Sequence, residues 1–112
     1  MKKIEAFVRP EKIKEVRQAL ENLGVSGFNI TQVDGRGNQG GVVQKFQGRE
    51  YKVGVLPKTK IEIVVKDDMV DRIVDTIITS ARTGEFGDGK IFISPVEEAI
   101  RIRTGERGES AL

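Results

Sequence analysis

One short segment of the sequence combines glycines and a lysine in a spacing that suits a phosphate group. Residues 84–90 read Gly-Glu-Phe-Gly-Asp-Gly-Lys and fit the G-x-x-x-x-G-K part of a Walker A motif. Ile91 replaces the hydroxyl residue that would bind Mg²⁺, and a strand pattern follows where that motif needs a helix, so a Walker NTPase is not predicted. The backbone N–H groups of the Gly-Asp-Gly turn could still cradle an anion beside Lys90. The alternative is a tight turn whose glycines only supply a positive φ.

Two arginines near the C-terminus are a second candidate for anion binding. Arg101 and Arg103 lie on one face of the chain if this run is extended. Two planar guanidinium groups that point the same way suit phosphate oxygens. The alternative is a solvated charged tail.

The segment 37–54 is long and rich in glycine, and it sustains neither helical nor strand periodicity. A connection of this length inside a compact domain is uncommon and is usually functional or disordered. We therefore predict a mobile binding loop. The alternative is a β-hairpin extension in which Val42-Val43 pairs with Tyr51-Lys52-Val53.

The composition excludes several other chemistries. The 112 residues contain no Cys and no His, so a thiol nucleophile, a Ser-His-Asp triad and a thiolate or imidazole metal site cannot be built. Nineteen Lys and Arg against seventeen Asp and Glu leave a net charge of +2, which is too balanced for a chain that mainly coats nucleic acid. The N-terminus lacks the apolar region of a signal peptide, and no run approaches the ~18 apolar residues of a membrane helix. We predict a cytoplasmic protein without membrane insertion.

The sequence contains an internal duplication, which is visible where Lys3-Ile4-Glu5 recurs as Lys60-Ile61-Glu62. In each half an alternating strand pattern is followed by a helical pattern and a second strand. In the first half the apolar strand positions are Ile4, Ala6 and Val8, the helical ones are Ile13, Val16, Leu20 and Leu23, and Gly24 ends the helix. In the second half they are Ile61, Ile63 and Val65, then Met69, Val70, Ile73, Val74, Ile77 and Ile78, with Asp67 and Asp68 as the helix cap and as negative charge at the helix start. The closing strands are predicted at 28–33 and 90–94.

Two such halves give the order βαββαβ within a single domain of residues 1–112. This is the ferredoxin-like plan of the α+β class, with an antiparallel sheet and two helices on one face. The opposite face would carry Phe7, Val64 and Phe92 beside Glu5, Arg9 and Glu62. A mixed apolar and charged face of this kind predicts an interface between copies of the chain. The alternative is a set of ordinary exposed apolar residues.

These segments, in this order on a duplicated frame, resemble the PII signal transduction protein family. Residues 81–92 (Ala-Arg-Thr-Gly-Glu-Phe-Gly-Asp-Gly-Lys-Ile-Phe) resemble the block around its B-loop, which would span about 82–90 here. Residues 101–106 (Arg-Ile-Arg-Thr-Gly-Glu) resemble its C-terminal segment, about 101–108. Residues 48–51 (Gly-Arg-Glu-Tyr) resemble the tip of its T-loop, about 37–55. The resemblance runs from Met1 to about Gly108.

The resemblance implies a cytoplasmic homotrimer, not an enzyme, that senses nitrogen, carbon and energy status. Such proteins bind ATP or ADP in clefts between subunits, and 2-oxoglutarate together with Mg-ATP. The T-loop would then act on an ammonium transporter, which would recruit the protein to the membrane, on glutamine synthetase or the enzyme that modifies it, or on another nitrogen-assimilation enzyme. Direct nucleic-acid binding is not implied.

The family pattern transfers onto three sets of residues in this sequence. The nucleotide set is Gly27, Phe28, Asn29, Glu62 and Val64 on the adenine and ribose side, Gly35, Gly37 and Asn38 at the T-loop base, Gly87, Asp88, Gly89 and Lys90 at the phosphates, and Arg101 and Arg103 from the neighbouring subunit. The 2-oxoglutarate set is Gln39, Gly40, Gly41 and Lys58, with Gln39 also a ligand of Mg²⁺. Tyr51 matches the residue that is nucleotidylated in several lineages and is a candidate modification site.

The sequence departs from the family pattern in and around the T-loop. Residues 35–41 read Gly-Arg-Gly-Asn-Gln-Gly-Gly where Gly-Phe-Gly-Arg-Gln-Lys-Gly is common, so a phosphate-facing arginine and a lysine are absent and Arg36 is the nearest replacement. Asn29 stands where many members have Thr. Arg49 excludes the serine phosphorylation of cyanobacterial members, and Gln47 replaces an arginine that some members insert into an ammonium channel.

Two other functions fit parts of the sequence. A small ATP-hydrolysing enzyme is opposed by the absence of His, by Ile91 and by the lack of an obvious base. An RNA-binding ferredoxin-like domain needs stacking aromatics on a basic sheet face, whereas Glu5 and Glu62 accompany Phe7 and Phe92. We therefore predict an allosteric signalling protein in which ligand binding at the T-loop base shifts the population of T-loop conformations.

Overall fold

The computed structural model describes residues 1–35, 44–46, 49–51 and 56–112. Along the chain its strands and α-helices are β1 (Lys2–Val8), α1 (Ile13–Asn22), β2 (Asn29–Gly35), β3 (Gln44–Phe46), β4 (Arg49–Tyr51), β5 (Leu56–Val65), α2 (Val70–Ala81) and β6 (Lys90–Pro95). Short 3-10 turns lie at Pro10–Lys12, Asp67–Met69 and Gly108–Ala111. The first two of these turns lead directly into α1 and α2.

Four strands form one antiparallel sheet in the order β2-β5-β1-β6. Both helices pack against the same face of this sheet and share one core with it. The structure therefore confirms the predicted α+β class and the ferredoxin-like order βαββαβ. Among the described residues, no helix is long and apolar enough to cross a membrane.

Alternation along the two central strands determines which face is buried. The predicted positions Ile4, Ala6 and Val8 on β1 are all buried, as are Ile61, Ile63 and Val65 on β5. The helices complete the core with Val16, Leu20, Ile73, Ile77 and Ala81. The helical spacing of three and four residues places these side chains on one stripe, which is why each helix lies flat on the sheet.

The two helices begin and end for different reasons. Gly24 has φ +93°, and its N–H donates to the Glu21 carbonyl at 2.9 Å, so it ends α1 as predicted. The predicted side-chain cap at Asp67 and Asp68 is wrong, because neither the turn nor α2 has a side-chain cap hydrogen bond. The predicted negative charge is present, because both residues lie in the turn that leads into α2. Asp67 instead lies 3.0 Å from the N-terminal ammonium and 3.3 Å from the Lys2 ammonium. Their hydrogen bonds hold the pKa of the Asp67 carboxyl below its ordinary value.

The edge strands differ from the predicted boundaries. β2 begins at Asn29 and continues to Gly35. Phe28, the predicted first residue, lies before the strand and packs against the core. β6 continues through Pro95, which faces Lys2 in the register. A proline at the end of an edge strand removes a donor that this edge does not need.

Part of the predicted binding loop forms a small separate sheet. β3 and β4 pair antiparallel, with Gln44 opposite Tyr51 and Phe46 opposite Arg49. A hairpin, the alternative that the sequence left open, is therefore present in the described part of this segment. Residues 42–43 and 52–53 lie outside the described residues.

We expect Ile77→Ala to lower the free energy of unfolding by about 2–5 kcal/mol, because Ile77 is only 1% exposed and its removal leaves a cavity under α2. Thr79→Ala, at an exposed position of the same helix, is the matched control and should change stability by less than about 0.5 kcal/mol. Urea unfolding at one fixed protein concentration measures both variants. Equal losses in the two variants would contradict this description of the core.

Candidate functional site

The B-loop, residues 82–90, folds around one carboxylate. Oδ2 of Asp88 accepts hydrogen bonds from the backbone N–H of Thr83 at 2.9 Å and of Gly84 at 2.8 Å. Oδ1 accepts from the Thr83 hydroxyl and from Nε of Arg9, the latter at 3.0 Å. Asp88 therefore closes the loop on itself and ties it to the end of β1.

These contacts decide the ionisation state of Asp88. Burial alone would raise its pKa, but the hydrogen bonds from the Thr83 hydroxyl, from Arg9 and from the N–H groups of Gly84 and Thr83 outweigh that effect. The pKa of the Asp88 carboxyl is thus held well below its ordinary value. The carboxylate is charged at neutral pH, and its oxygens are occupied by groups of the protein.

Two glycines give the loop its backbone path. Gly87 has φ +98° and Gly89 has φ +100°, a region that favours glycine. A Cβ atom at Gly89 would lie 1.6 Å from the Phe7 carbonyl oxygen, so the loop backbone rests directly on β1. The tight turn that the sequence left as an alternative is therefore real, and it is compatible with anion binding by the same backbone.

Two cations at the end of the sheet also hold the loop. Arg9 follows β1 and donates from Nη2 to the Phe86 carbonyl at 2.6 Å, while Lys58 of β5 donates from Nζ to the Gly87 carbonyl. Partial burial lowers the pKa of the Lys58 ammonium and nearby Arg9 lowers it further, although Glu11 and Asp88 partly offset both effects. Lys58, expected at the 2-oxoglutarate site, thus contacts the B-loop in this structure.

The predicted adenine residues lie elsewhere on the sheet. Asn29 faces Glu62 across β2 and β5, and Val64 faces Lys3 across β5 and β1. Asn29 is exposed and Gly27 precedes it, whereas Phe28 is partly buried against the core. The strand order puts β2 and β6 on opposite edges of the sheet, about 14 Å apart.

The duplicated Lys-Ile-Glu motifs meet on the open face of the two central strands. Glu5 and Glu62 face each other directly, which is unfavourable for like charges. Lys60 lies 3.8 and 3.9 Å from the two carboxylates, and Lys3 lies 3.9 and 4.0 Å from them. We call these four residues the charge quartet. It offsets the repulsion at the centre of a face that also exposes 54% of Phe92, which contacts Phe7 edge to face at 6.0 Å.

The C-terminal arginines do not lie on an extended run. Residues 102–104 form a turn, and Ile100 bridges to Arg107. Arg101 donates to the Glu106 carboxylate at 3.0 Å, so it is not in a loose solvated tail, while Arg103 is exposed. The predicted alignment of both guanidinium groups along one extended face is therefore wrong.

The remaining residues of the predicted site lie in different parts of the chain's structure or outside the described residues. Gly35 faces Leu56, near Lys58 and hence on the B-loop end of the sheet. Tyr51 lies on β4. The remaining T-loop residues of the predicted site, Gly37, Asn38, Gln39, Gly40 and Gly41, lie outside the described residues.

Sequence reasoning missed Arg9 as a partner of the B-loop and the Thr83 hydroxyl as a hydrogen-bond donor to Asp88. The available signal was a Thr and an Asp bracketing a glycine-rich turn, since such pairs commonly hydrogen-bond across a loop.

A cavity of about 440 Å³ is lined mainly by α2 and β6 residues such as Val74, Ile78 and Ile93. It touches the B-loop at Arg82, Asp88, Gly89 and Lys90, and the rest of its lining is apolar.

We expect Gly89→Ala to disrupt the seat of the B-loop on β1, at a cost of more than about 2 kcal/mol in unfolding free energy, because the new Cβ meets backbone and the φ is strained. Gly84→Ala is the control, since Gly84 has φ +90° but nothing within 4 Å of an added Cβ. It should cost only about 1 kcal/mol of backbone strain. Equal costs by urea unfolding would refute the close contact with Phe7.

The ionised state of Asp88 predicts a pH dependence of stability. Because its pKa is depressed in the folded state, the stabilisation is fully present above the ordinary value of about 3.9 and is lost as pH falls from there towards the folded value. Wild type should therefore lose more unfolding free energy between pH 5 and pH 3 than Asp88→Asn does. Parallel pH profiles for the two proteins would contradict the hydrogen-bonded carboxylate.

Comparisons with known proteins show the family to which the chain belongs. Residues 1–106 match the family model described as "Nitrogen regulatory protein P-II". The chain is 56% identical over all of its 112 residues to nitrogen regulatory protein P-II 2 of Methanothermobacter thermautotrophicus, of which it covers 97%. It is 54% identical to nitrogen regulatory protein P-II of Cereibacter sphaeroides and 55% identical to that of Nostoc punctiforme, each over the full length of both chains. The chain therefore belongs to the nitrogen regulatory protein P-II family and is a regulator in nitrogen signal transduction.

Proposed function

We propose that this protein is a cytoplasmic homotrimer that reports nitrogen, carbon and energy status by binding ATP or ADP between neighbouring subunits. The B-loop of one subunit takes the phosphates, and Arg101 and Arg103 come from the next subunit. 2-Oxoglutarate binds beside Mg-ATP at the T-loop base. The protein acts as a regulator and not as an enzyme.

One observation carries the proposal of a shared site: the two groups of phosphate-binding candidates leave β6 at opposite ends. Lys90 faces Phe7 at one end of the strand and Pro95 faces Lys2 at the other, about 17 Å away. In the part of the chain that the structure describes, no hydrogen bond or ion pair joins the B-loop to residues 101–108. A second copy is the simplest way to bring both groups to one phosphate chain.

The adenine candidates support the same arrangement. Asn29 lies on the β2 edge of the sheet, and Glu62, which it faces on β5, is itself a member of the charge quartet. A nucleotide that reached from Asn29 to the B-loop within one subunit would have to cross the quartet's side chains on the two central strands. Binding between subunits removes that requirement.

The B-loop is suited to a polyanion through its backbone. The Asp88 oxygens already accept hydrogen bonds from Arg9 and from Thr83 and Gly84 of the loop, so Asp88 organises the loop and does not act as a phosphate ligand itself. The backbone N–H groups around Gly87 and Gly89, with Lys90 as a point charge, are the groups left to meet phosphate oxygens. Asp88 is therefore reassigned from direct contact to support.

The second effector would use residues that flank the same loop. Gln39 offers an amide oxygen, a ligand type that Mg²⁺ accepts, and the ion would bridge the nucleotide and 2-oxoglutarate when bound. Lys58 would supply the cation for a carboxylate of 2-oxoglutarate, with Gly40 and Gly41 allowing close approach of the backbone. Its present contact with the Gly87 carbonyl puts that cation within reach of the B-loop.

The T-loop is the proposed output because its base adjoins the site. Gly35 and Leu56 pair where β2 ends and β5 begins, at the same end of the sheet as Lys58. Ligands at this base would shift the population of T-loop conformations, a coupling that is typically worth about 1–3 kcal/mol. The proposed targets are an ammonium transporter, glutamine synthetase or its modifying enzyme, or another nitrogen-assimilation enzyme, and Tyr51 is the proposed modification site.

Complementation between two defective variants tests the shared site. Lys90→Ala alone and the double variant Arg101→Ala, Arg103→Ala alone should each lose nucleotide binding, because each damages every cleft. Co-expression should restore binding in about a quarter of the clefts, those that combine an intact B-loop with intact arginines from another subunit. Calorimetric titration with ATP measures the number of sites. Lys66→Ala and Arg107→Ala, both at exposed positions, are the matched controls.

A mixture that binds no more ATP than the two separate variants would contradict the shared site, provided that mixed assemblies are shown by mass spectrometry. ATP binding by Lys90→Ala at wild-type affinity would contradict the B-loop assignment.

A separate variant tests the metal bridge. Gln39→Ala should retain ATP binding and lose 2-oxoglutarate binding, because only the amide ligand to Mg²⁺ is removed. Calorimetry with 2-oxoglutarate in the presence of saturating Mg-ATP measures this. Retention of 2-oxoglutarate at wild-type affinity would refute the role of Gln39.

A further inference from the structure

We propose that Arg9 is a positioning residue that fixes the B-loop in its phosphate-binding conformation. Its role in nucleotide affinity rests on the proposed function, whereas its role in ordering the loop does not. Nothing in the sequence pattern of the loop points to Arg9, which lies 79 positions before Asp88.

The guanidinium group of Arg9 makes two contacts with the loop at once. Nε donates to Oδ1 of Asp88 at 3.0 Å, and Nη2 donates to the Phe86 carbonyl at 2.6 Å. The side chain is only 18% exposed, so these contacts are partly shielded from water. A planar group with several fixed donors can hold two acceptors in this way, which an ammonium group cannot reproduce.

Arg9 joins the internal fold of the loop to the sheet. The hydrogen bonds from Thr83 and Gly84 to Asp88 lie within the loop and would not hold it in place on β1. Among the described residues, Arg9 is the cation that forms an ion pair with the Asp88 carboxylate. Lys58 adds a second tie at the Gly87 carbonyl, so three consecutive residues of the loop are gripped from the ends of β1 and β5.

This arrangement has a consequence for anion binding. Backbone N–H groups bind an anion well only if they converge before it arrives, because ordering them on binding costs affinity. Arg9 uses its donors on the loop itself, so its effect on a nucleotide is indirect. Loss of Arg9 should therefore weaken ATP and ADP by the same factor, since both share the loop but differ in the γ-phosphate.

The test compares Arg9→Gln and Arg9→Lys with wild type, and uses Arg17→Gln at an exposed position of α1 as the control for loss of one positive charge. Amide hydrogen exchange over residues 83–89 is measured without nucleotide, and ATP and ADP affinities are measured by calorimetry. We expect about tenfold faster exchange and about tenfold weaker binding of both nucleotides in Arg9→Gln. Arg9→Lys should be intermediate, and Arg17→Gln should match wild type.

Unchanged exchange over residues 83–89 in Arg9→Gln would overturn the proposal. Weakening of ATP alone would also overturn it, because that result assigns Arg9 to direct contact with the γ-phosphate. If wild type bound no nucleotide, the proposed function would fail while the exchange measurement still decided whether Arg9 orders the loop. If Arg9→Gln does not fold, Arg9→Lys, which keeps the charge, decides by the same two measurements.

Discussion

The candidate site depends on one interaction, the set of hydrogen bonds that the partly exposed Asp88 carboxylate accepts from Thr83, Gly84 and Arg9. A loop that is to bind an anion through its backbone needs its donors free, yet it also needs to be held in place. Asp88 separates these two demands, because it uses donors at the start of the loop and leaves those around Gly87 and Gly89. Ionisation of this carboxylate is therefore part of the structure and not a property of the ligand.

The duplication explains how the rest of the fold supports this loop. The two Lys-Ile-Glu motifs lie on the central strands and meet as the charge quartet, while the isoleucines between them point into the core. The same alternation continues to Arg9 and Lys58, which reach the B-loop at the end of the sheet. One pattern of alternating side chains thus builds the core on one face and positions two cations on the other.

Much of the fold could be predicted because it depends on local periodicity. Positions such as Ile4, Ile63 and Leu20 follow strand or helix spacing and are buried as that spacing requires. The Asp67 cap was wrong because the N-terminal ammonium, which is distant in sequence, takes that carboxylate. The role of Arg9 could not be predicted for the same reason. Its partners lie 77 and 79 positions away, and neither the composition nor the residue spacing near Arg9 indicates them. The B-loop glycines could be predicted because a positive φ and a close backbone contact both favour glycine at such a position.

Two subunits are proposed to share each nucleotide, because Lys90 lies at one end of β6 and the segment that carries the C-terminal arginines leaves the strand from the other end. A crystal structure of the protein with bound ATP tests this most directly. A shared site predicts phosphate density over the backbone of Gly87 and Gly89 in one subunit, with Arg101 or Arg103 of a neighbouring subunit against the same phosphates. Phosphates contacted by a single chain, or bound away from the B-loop, would contradict it.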